Sequence, residues 1–356
     1  MGQTLSEPVT SKETSSCSND FLSVGASCMQ GWRINMEDAH THLLDLAPED
    51  PEASFFAVYD GHGGTKVANY AGIHLHHIIT SQPEYKQGNY EVAMKKAFLQ
   101  LDQDMLVDPE TKDELAGSTA IVLLMRDGKM YIANVGDSRA VASWSGRCDP
   151  LSFDHKPANE LEAKRITAAG GWVELNRVNG NLALSRAFGD FLFKKNTKKS
   201  VEEQIVTASP DIEVRNISED LEFVVLACDG IWDVMTNEEV VSFVRHRIAA
   251  RMEPALICEE LMTHCLAPDC QMGGLGCDNM TVLLICFLHG KSYEELSIRC
   301  GLSPSSRPRL HSTGSSDSSV VSSSSLSTPD TPDGDLPPLD GEIISKTILE
   351  TSESAR

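Results

Sequence analysis

Apolar positions along the chain fall into two kinds of run. Short unbroken ones, FFAVY at Phe55–Tyr59, AIVLLM at Ala120–Met125, VVLAC at Val224–Cys228 and TVLLICFL at Thr281–Leu288, predict strands buried on both faces. After Gly64 the spacing changes: Val67, Tyr70, Ala71, His74, Leu75 and Ile78 recur at helical intervals, predicting a helix that starts directly after the glycines. NEEVVSFVRHRIAAR, capped by Asn237 with acids in its first turn and bases near its end, predicts a second, and Pro254 opens a third that runs to Leu266. STAIVLLM and MYIANVG are separated by Arg126-Asp127-Gly128-Lys129, an Asp-Gly connection that signals an antiparallel hairpin. Hairpins in the middle and paired helices late predict an α+β domain built on antiparallel sheet.

Composition divides the chain. Residues 19–290 are expected to form one domain, preceded by a flexible N-terminus over 1–18. After Leu302 a Ser, Pro and Asp-rich stretch has too few large apolar residues to offset the entropy of ordering, so 291–356 reads as a mostly disordered tail. Only its closing EIISKTILE suggests a short helix, and its Ser-Pro and Thr-Pro pairs are candidate phosphorylation sites.

The longest apolar runs fall short of the roughly 20 residues that span a bilayer, so no membrane-spanning segment is expected. MGQTLSEPVTSKETSSC has neither a basic nor an apolar stretch of the secretory kind, which favours a reducing compartment and a cytoplasmic location, with nuclear or membrane association as further options. The ten cysteines are accordingly expected to be free thiols, and Cys265, Cys270 and Cys277 match no zinc spacing. A formal net charge of -22 argues against a nucleic-acid partner, because a polyanion needs a basic surface to release its counterions.

Where the acids sit is more telling. The strand-like run before Asp60-Gly61 ends in a carboxylate, and so does the run before Asp229-Gly230. Asp278 with Asn279 precedes another apolar run, and Asp137 follows another, in IANVGDSRA. If these strands lie side by side, their charged ends meet at one edge and repel one another unless cations sit between them. Carboxylate oxygens, a backbone carbonyl and waters suit Mg²⁺ or Mn²⁺, whereas zinc would call for His or Cys. Glycine at 61 lets a carbonyl approach an ion and lets the chain turn at once into the next helix. Upstream, MQGWRINMEDAH adds Arg33, Glu37 and Asp38.

In order and spacing, GWRINMEDAH, FFAVYDGHGG, GSTAIV, NVGDSRAV, FDHKP, RVNGNLALSRAFGD, VLACDGIWDV and GCDNMTVLL resemble the type 2C metal-dependent protein phosphatases over residues 20–290. The resemblance implies two antiparallel sheets in a sandwich flanked by helices, four layers in all, with Mn²⁺ or Mg²⁺ in a cleft at one end. It implies two ions per subunit: Asp60 bridges them, the Gly61 carbonyl serves one, and Asp229 with Asp278 serve the other. Glu37 and Asp38 would hold ion-bound waters, and Asp137 would serve a third, weaker position shared with Asp229.

A phosphomonoester dianion repels nucleophiles, so its hydrolysis needs positive charge on the phosphoryl oxygens and a strong nucleophile at neutral pH, both of which paired ions supply. Arg33 offers a planar fork for two phosphate oxygens. His62 is the candidate proton donor to the serine or threonine alkoxide that leaves. The other histidines, including His74, His76 and His77, read as structural or solvated.

No cysteine has an Arg six positions on, which excludes a cysteine phosphatase, and Gly180-Asn181-Leu182 lacks the second histidine of a His-liganded dinuclear enzyme. A family member that only binds phosphoproteins as a scaffold should have lost a ligand, and none is lost. The expected function is therefore hydrolysis of phosphoserine and phosphothreonine in phosphoprotein substrates, by a monomer. Lys194, Lys195, Lys198 and Lys199 form a basic cluster that would guide acidic substrate segments. Gly2 followed by Ser6 fits the myristoylation pattern, and a single acyl chain there would give weak membrane association.

Overall fold

The computed structural model describes residues 4–46, 50–270 and 274–302. Gly2, the tail beyond 302 and its suggested closing helix lie outside these residues. Two antiparallel sheets dominate. One has six strands in the order Thr4–Ser18, Leu22–Arg33, Met280–Phe287, Leu221–Ala227, Arg139–Trp144 and Arg147–Pro150. The other has five: Asp211–Asn216, Lys129–Val135, Ala120–Arg126, Ser54–Tyr59 and Ala39–Leu43.

Alternation along each strand decides what its two faces bury. Phe56, Val58, Ile121 and Leu123 meet Val224, Leu226, Leu283 and Ile285 between the sheets. Their neighbours Phe55, Ala57, Val122 and Leu124 point outward to helices Lys66–Ser81 and Tyr90–Met105, against Leu75 and Phe98. On the opposite side Phe223, Val225, Val282 and Leu284 pack on helices Asn237–Ala249 and Pro254–Cys265. The layer order is helix, sheet, sheet, helix, and both faces of the central strands are covered. That double burial is why their sequences read as unbroken apolar runs.

The hairpin forms as expected, with Arg126 opposite Lys129 and both Asp127 (φ 53°) and Gly128 (φ 70°) in the left-handed region that a two-residue turn needs. The structure differs from the sequence reading at four points. Residues 4–18, expected as a flexible N-terminus, form an edge strand from Thr4 opposite Arg33 to Ser18 opposite Ser23, and the polar composition reflects an outer face left to solvent. At the other end the fold continues past 290, because helix Tyr293–Gly301 buries Leu296 and Cys300 in the core. The cap of helix Asn237–Ala249 is Thr236, whose hydroxyl accepts from the Glu239 N–H (3.3 Å) while Glu239 accepts from the Thr236 N–H (2.8 Å). Finally, Cys270 and Cys277 form a disulfide. The Ala267 N–H donates to the Gly276 carbonyl (2.9 Å), closing the loop that brings the two cysteines together against Trp32.

Among the described residues, no helix is long and apolar enough to cross a membrane.

Candidate active site

Strand register assembles the site. In the five-stranded sheet, Ala39 pairs with Tyr59, Val58 with Ile121 and Ala120 with Val135. In the six-stranded sheet, Ala227 pairs with both Val282 and Arg139, and Met280 with Met29. Asp38, Asp60, Asp229, Asp278 and Arg33 therefore leave their strands at one end of the sandwich. The turn from Val135 to Arg139 crosses between the sheets at that end and carries Asp137.

Carboxylate oxygens of Asp60, Asp137 and Asp229 come within 4.8 Å of one another, and the same limit holds for ligand atoms of Asp38, Asp60 and Cys228. A cleft of about 490 Å³ opens over them, lined also by Arg33, Gly61, His62 and Asp278. Not every expected residue joins these groups. Asp278 gives one oxygen to Arg33, and the Glu37 backbone N–H is tied to the Asn279 side chain (2.9 Å). Asn279 also donates to the carbonyls of Gln30 (2.8 Å) and Asn35 (3.0 Å), fixing the segment that presents Glu37 and Asp38.

So many half-buried acids in one place are unfavourable as bare anions. Burial raises the carboxyl pKa of Asp38 to about 7, the nearby Asp278 adding to it against a hydrogen bond from Thr281 (2.7 Å). Burial pushes Asp60 well up too, reinforced by Asp229, Asp38 and Asp137, and Asp229 likewise, reinforced by Asp137 and Asp278. The second oxygen of Asp38 is buried without a hydrogen-bond partner. Oxygen donors only, excess negative charge and an unsatisfied acceptor all fit hard divalent cations. Cys228 does not alter this donor set: its thiol, raised by burial, accepts from the Thr281 N–H (3.2 Å) and serves the fold.

Both glycines of the repeated Asp-Gly pair have a steric reason. A Cβ on Gly61 would stand 2.2 Å from the Glu37 carbonyl oxygen, and one on Gly230 would stand 2.1 Å from that of Asn279. Each lets an acid-bearing segment lie directly against a strand end. Gly61→Ala is expected to destabilise the protein by about 2 kcal/mol or more, since backbone must move. Urea unfolding measures it, and a change below about 0.5 kcal/mol would show that the segments separate freely.

His62 faces a partner that the sequence reading did not single out. Its Nε2 lies 2.7 Å from Oδ2 of Asp190, a buried residue in the left-handed region (φ 49°). A Cβ on Gly117 would clash with both side chains, so the missing side chain makes room for the pair. Burial alone would lower the His62 pKa, but the Asp190 carboxylate outweighs it and the net shift is upward. The Gly189-Asp190 pair ends the quoted motif RVNGNLALSRAFGD, and that terminal acid was the available signal. Asp233 was missed as well; four residues after Asp229, its pKa is raised by burial and by Asp137 and Asp278 against the pull of Lys156.

A family model described as protein phosphatase 2C matches residues 22–272. A probable protein phosphatase 2C of Caenorhabditis elegans is 63% identical over 300 residues, covering 84% of each chain. A protein phosphatase 2C homolog of Hypocrea jecorina is 53% identical over 302 residues, 83% of this chain and 69% of that one. The chain belongs to the protein phosphatase 2C family. A solved phosphatase from Toxoplasma gondii superposes with a TM-score of 0.66 at 29% identity, covering 78% of this chain and 96% of that one. As a protein phosphatase 2C, this chain is a metal-dependent protein serine/threonine phosphatase, and phosphoproteins are its substrate class.

The expected basic cluster of this phosphatase 2C does not form as read. Lys194 is nearly buried and pairs with Asp102 (2.8 Å), and Lys199 reaches Glu203 (3.3 Å), which leaves Lys195 and Lys198 exposed. Asp102 also accepts from the Gly189 N–H (2.9 Å), so Lys194 helps to hold the turn that carries Asp190.

Proposed function

We propose that phosphoserine and phosphothreonine esters are hydrolysed in the cleft over Asp60, with Arg33 and His62 acting directly on the substrate. The observation that carries this reading is the convergence of Asp60, Asp137 and Asp229 from three separate connections to within 4.8 Å. Mn²⁺ or Mg²⁺, two ions with a weaker third, would be held by Asp60, the Gly61 carbonyl, Asp229 and Asp278, with Glu37 and Asp38 on their waters and Asp137 at the third position. When bound, such ions supply positive charge against the phosphoryl oxygens and acidify water.

The chain's own residues do the rest. Arg33 stands at the cleft, with its side chain 38% exposed, so its guanidinium is open to a phosphate while Asp278 fixes its direction. His62, kept protonated toward higher pH by Asp190, is placed to give a proton from its ring to the leaving oxygen of serine or threonine. Once the proton has moved, the Asp190 carboxylate holds the neutral imidazole in place for reloading from water.

The test is hydrolysis of a phosphothreonine peptide by the purified full chain with Mn²⁺ and with excess chelator, using Asp229→Asn as control. Turnover that survives the chelator would overturn the reading. Peptide binding without turnover would favour a scaffold. Arg33→Lys is expected to raise KM by about tenfold, because a point charge loses the two-oxygen fork. Steady-state kinetics on the same peptide check it, and an unchanged KM would remove Arg33 from phosphate binding.

A further inference from the structure

Lys156 has no part in the chemistry above, yet the fold registers it on the carboxylate cluster. Its ammonium bonds Oδ2 of Asp137, and its charge also reaches Asp229 and Asp154. Three sets of bonds fix its backbone against the turn that carries Asp137. The His155 N–H donates to the Gly136 carbonyl (2.9 Å), and the Gly136 N–H donates to His155 Nδ1 (3.1 Å). Asp154 takes both arms of Arg139 (2.9 Å each). Pro157 follows, restricting Lys156 to extended backbone. Its side chain is 32% exposed and that of Asp137 6%, so the lysine reaches inward from the rim to a buried acid.

Among the described residues, two basic side chains form ion pairs with the acids of this cluster. Arg33 takes Asp278, and Lys156 takes Asp137. Asp137 is the acid proposed to serve the third cation together with Asp229, and Asp233 faces the same corner.

We propose that Lys156 is a tethered cation that occupies the Asp137 corner: it competes with the third divalent ion, keeps that position weak, and holds the carboxylates together when ions are absent. The inference rests on the cation site proposed above. A divalent ion arriving at Asp137 must displace the ammonium or share its oxygen, whereas Asp60 itself forms no ion pair among the described residues. The lysine is thus a positioning residue, matched to one acid by the backbone bonds on either side of it.

The experiment is Mn²⁺ titration by calorimetry, with bound ions counted by electron paramagnetic resonance, on the full chain and on Lys156→Met and Lys156→Arg. In Lys156→Met the weakest class of Mn²⁺ should tighten by about fivefold or more, the gain from removing one partly exposed competing charge. Melting in excess chelator should fall by several degrees, while melting in saturating Mn²⁺ stays near that of the parent. Lys156→Arg should keep the weak class weak. A weakest class that is unchanged, looser or lost in Lys156→Met overturns the proposal, as does an equal loss of melting temperature with and without Mn²⁺. Failure of the cation site itself looks different: the parent chain would then bind no Mn²⁺ that Asp229→Asn removes.

Discussion

Asp60→Asn is expected to lower turnover on a phosphothreonine peptide by about 10³-fold or more, while raising the melting temperature of the metal-stripped protein. The loss follows from taking away the acid at the centre of both converging groups, since about 4 kcal/mol of charge stabilisation corresponds to that factor. The gain has the opposite origin. Without cations, Asp60 is a half-buried carboxyl destabilised by desolvation and by Asp229, Asp38 and Asp137, and a neutral amide of the same shape removes that repulsion. Calorimetric melting with chelator and with Mn²⁺ separates the two effects. A variant that melts lower under both conditions would show that the carboxylate is structural.

The same acids give the stripped protein a pH dependence of definite sign. Asp38 titrates at about 7 when folded, against an ordinary 3.8, so the folded state binds more protons than the unfolded one between those values. The penalty is complete above about pH 7 and fades as the pH falls through the folded pKa, so stripped protein should melt higher at pH 6 than at pH 8. Saturating Mn²⁺ should abolish or reverse that slope.

The second large effect concerns proton delivery. His62→Gln is expected to lower kcat by about 10² to 10⁴-fold, the usual worth of a positioned acid. Asp190→Asn tests how the histidine is tuned. Asp190 raises the His62 pKa, and a proton donor works only while protonated, so activity is lost as pH rises through that pKa. Removing the carboxylate lowers the pKa, and the basic limb of the kcat/KM profile should move to lower pH. Folding stability carries the same sign: the pair's contribution is full below the unfolded value of 6.5 and disappears as pH rises through the folded one. A basic limb that stays in place in Asp190→Asn would mean that another group donates the proton.

Asp60 and Asp229 were legible because each ends an apolar run too long to tolerate a chance charge. Arg33 and His62 were legible through the motifs around them. Asp190 was not, because a buried acid closing a loop has no periodic pattern before it, and only the fold shows that Gly117 leaves room for it beside His62. Lys156 was invisible for a similar reason. A lysine in FDHKP looks solvated until the bonds around His155 and Asp154 pin it to the Asp137 turn. The lysine cluster failed in the opposite way: four close positive charges read as one patch, but Lys194 turns inward to Asp102.

By itself the sequence determined the α+β class, the doubly buried central strands and the kind of chemistry, since run length, alternation and residue type are local properties written in order along the chain. Tertiary structure alone decided which acids share an ion's reach, which glycines are sterically required and which cation faces which carboxylate. Those are distances between segments far apart in the chain, and strand register, which no single segment encodes, sets them.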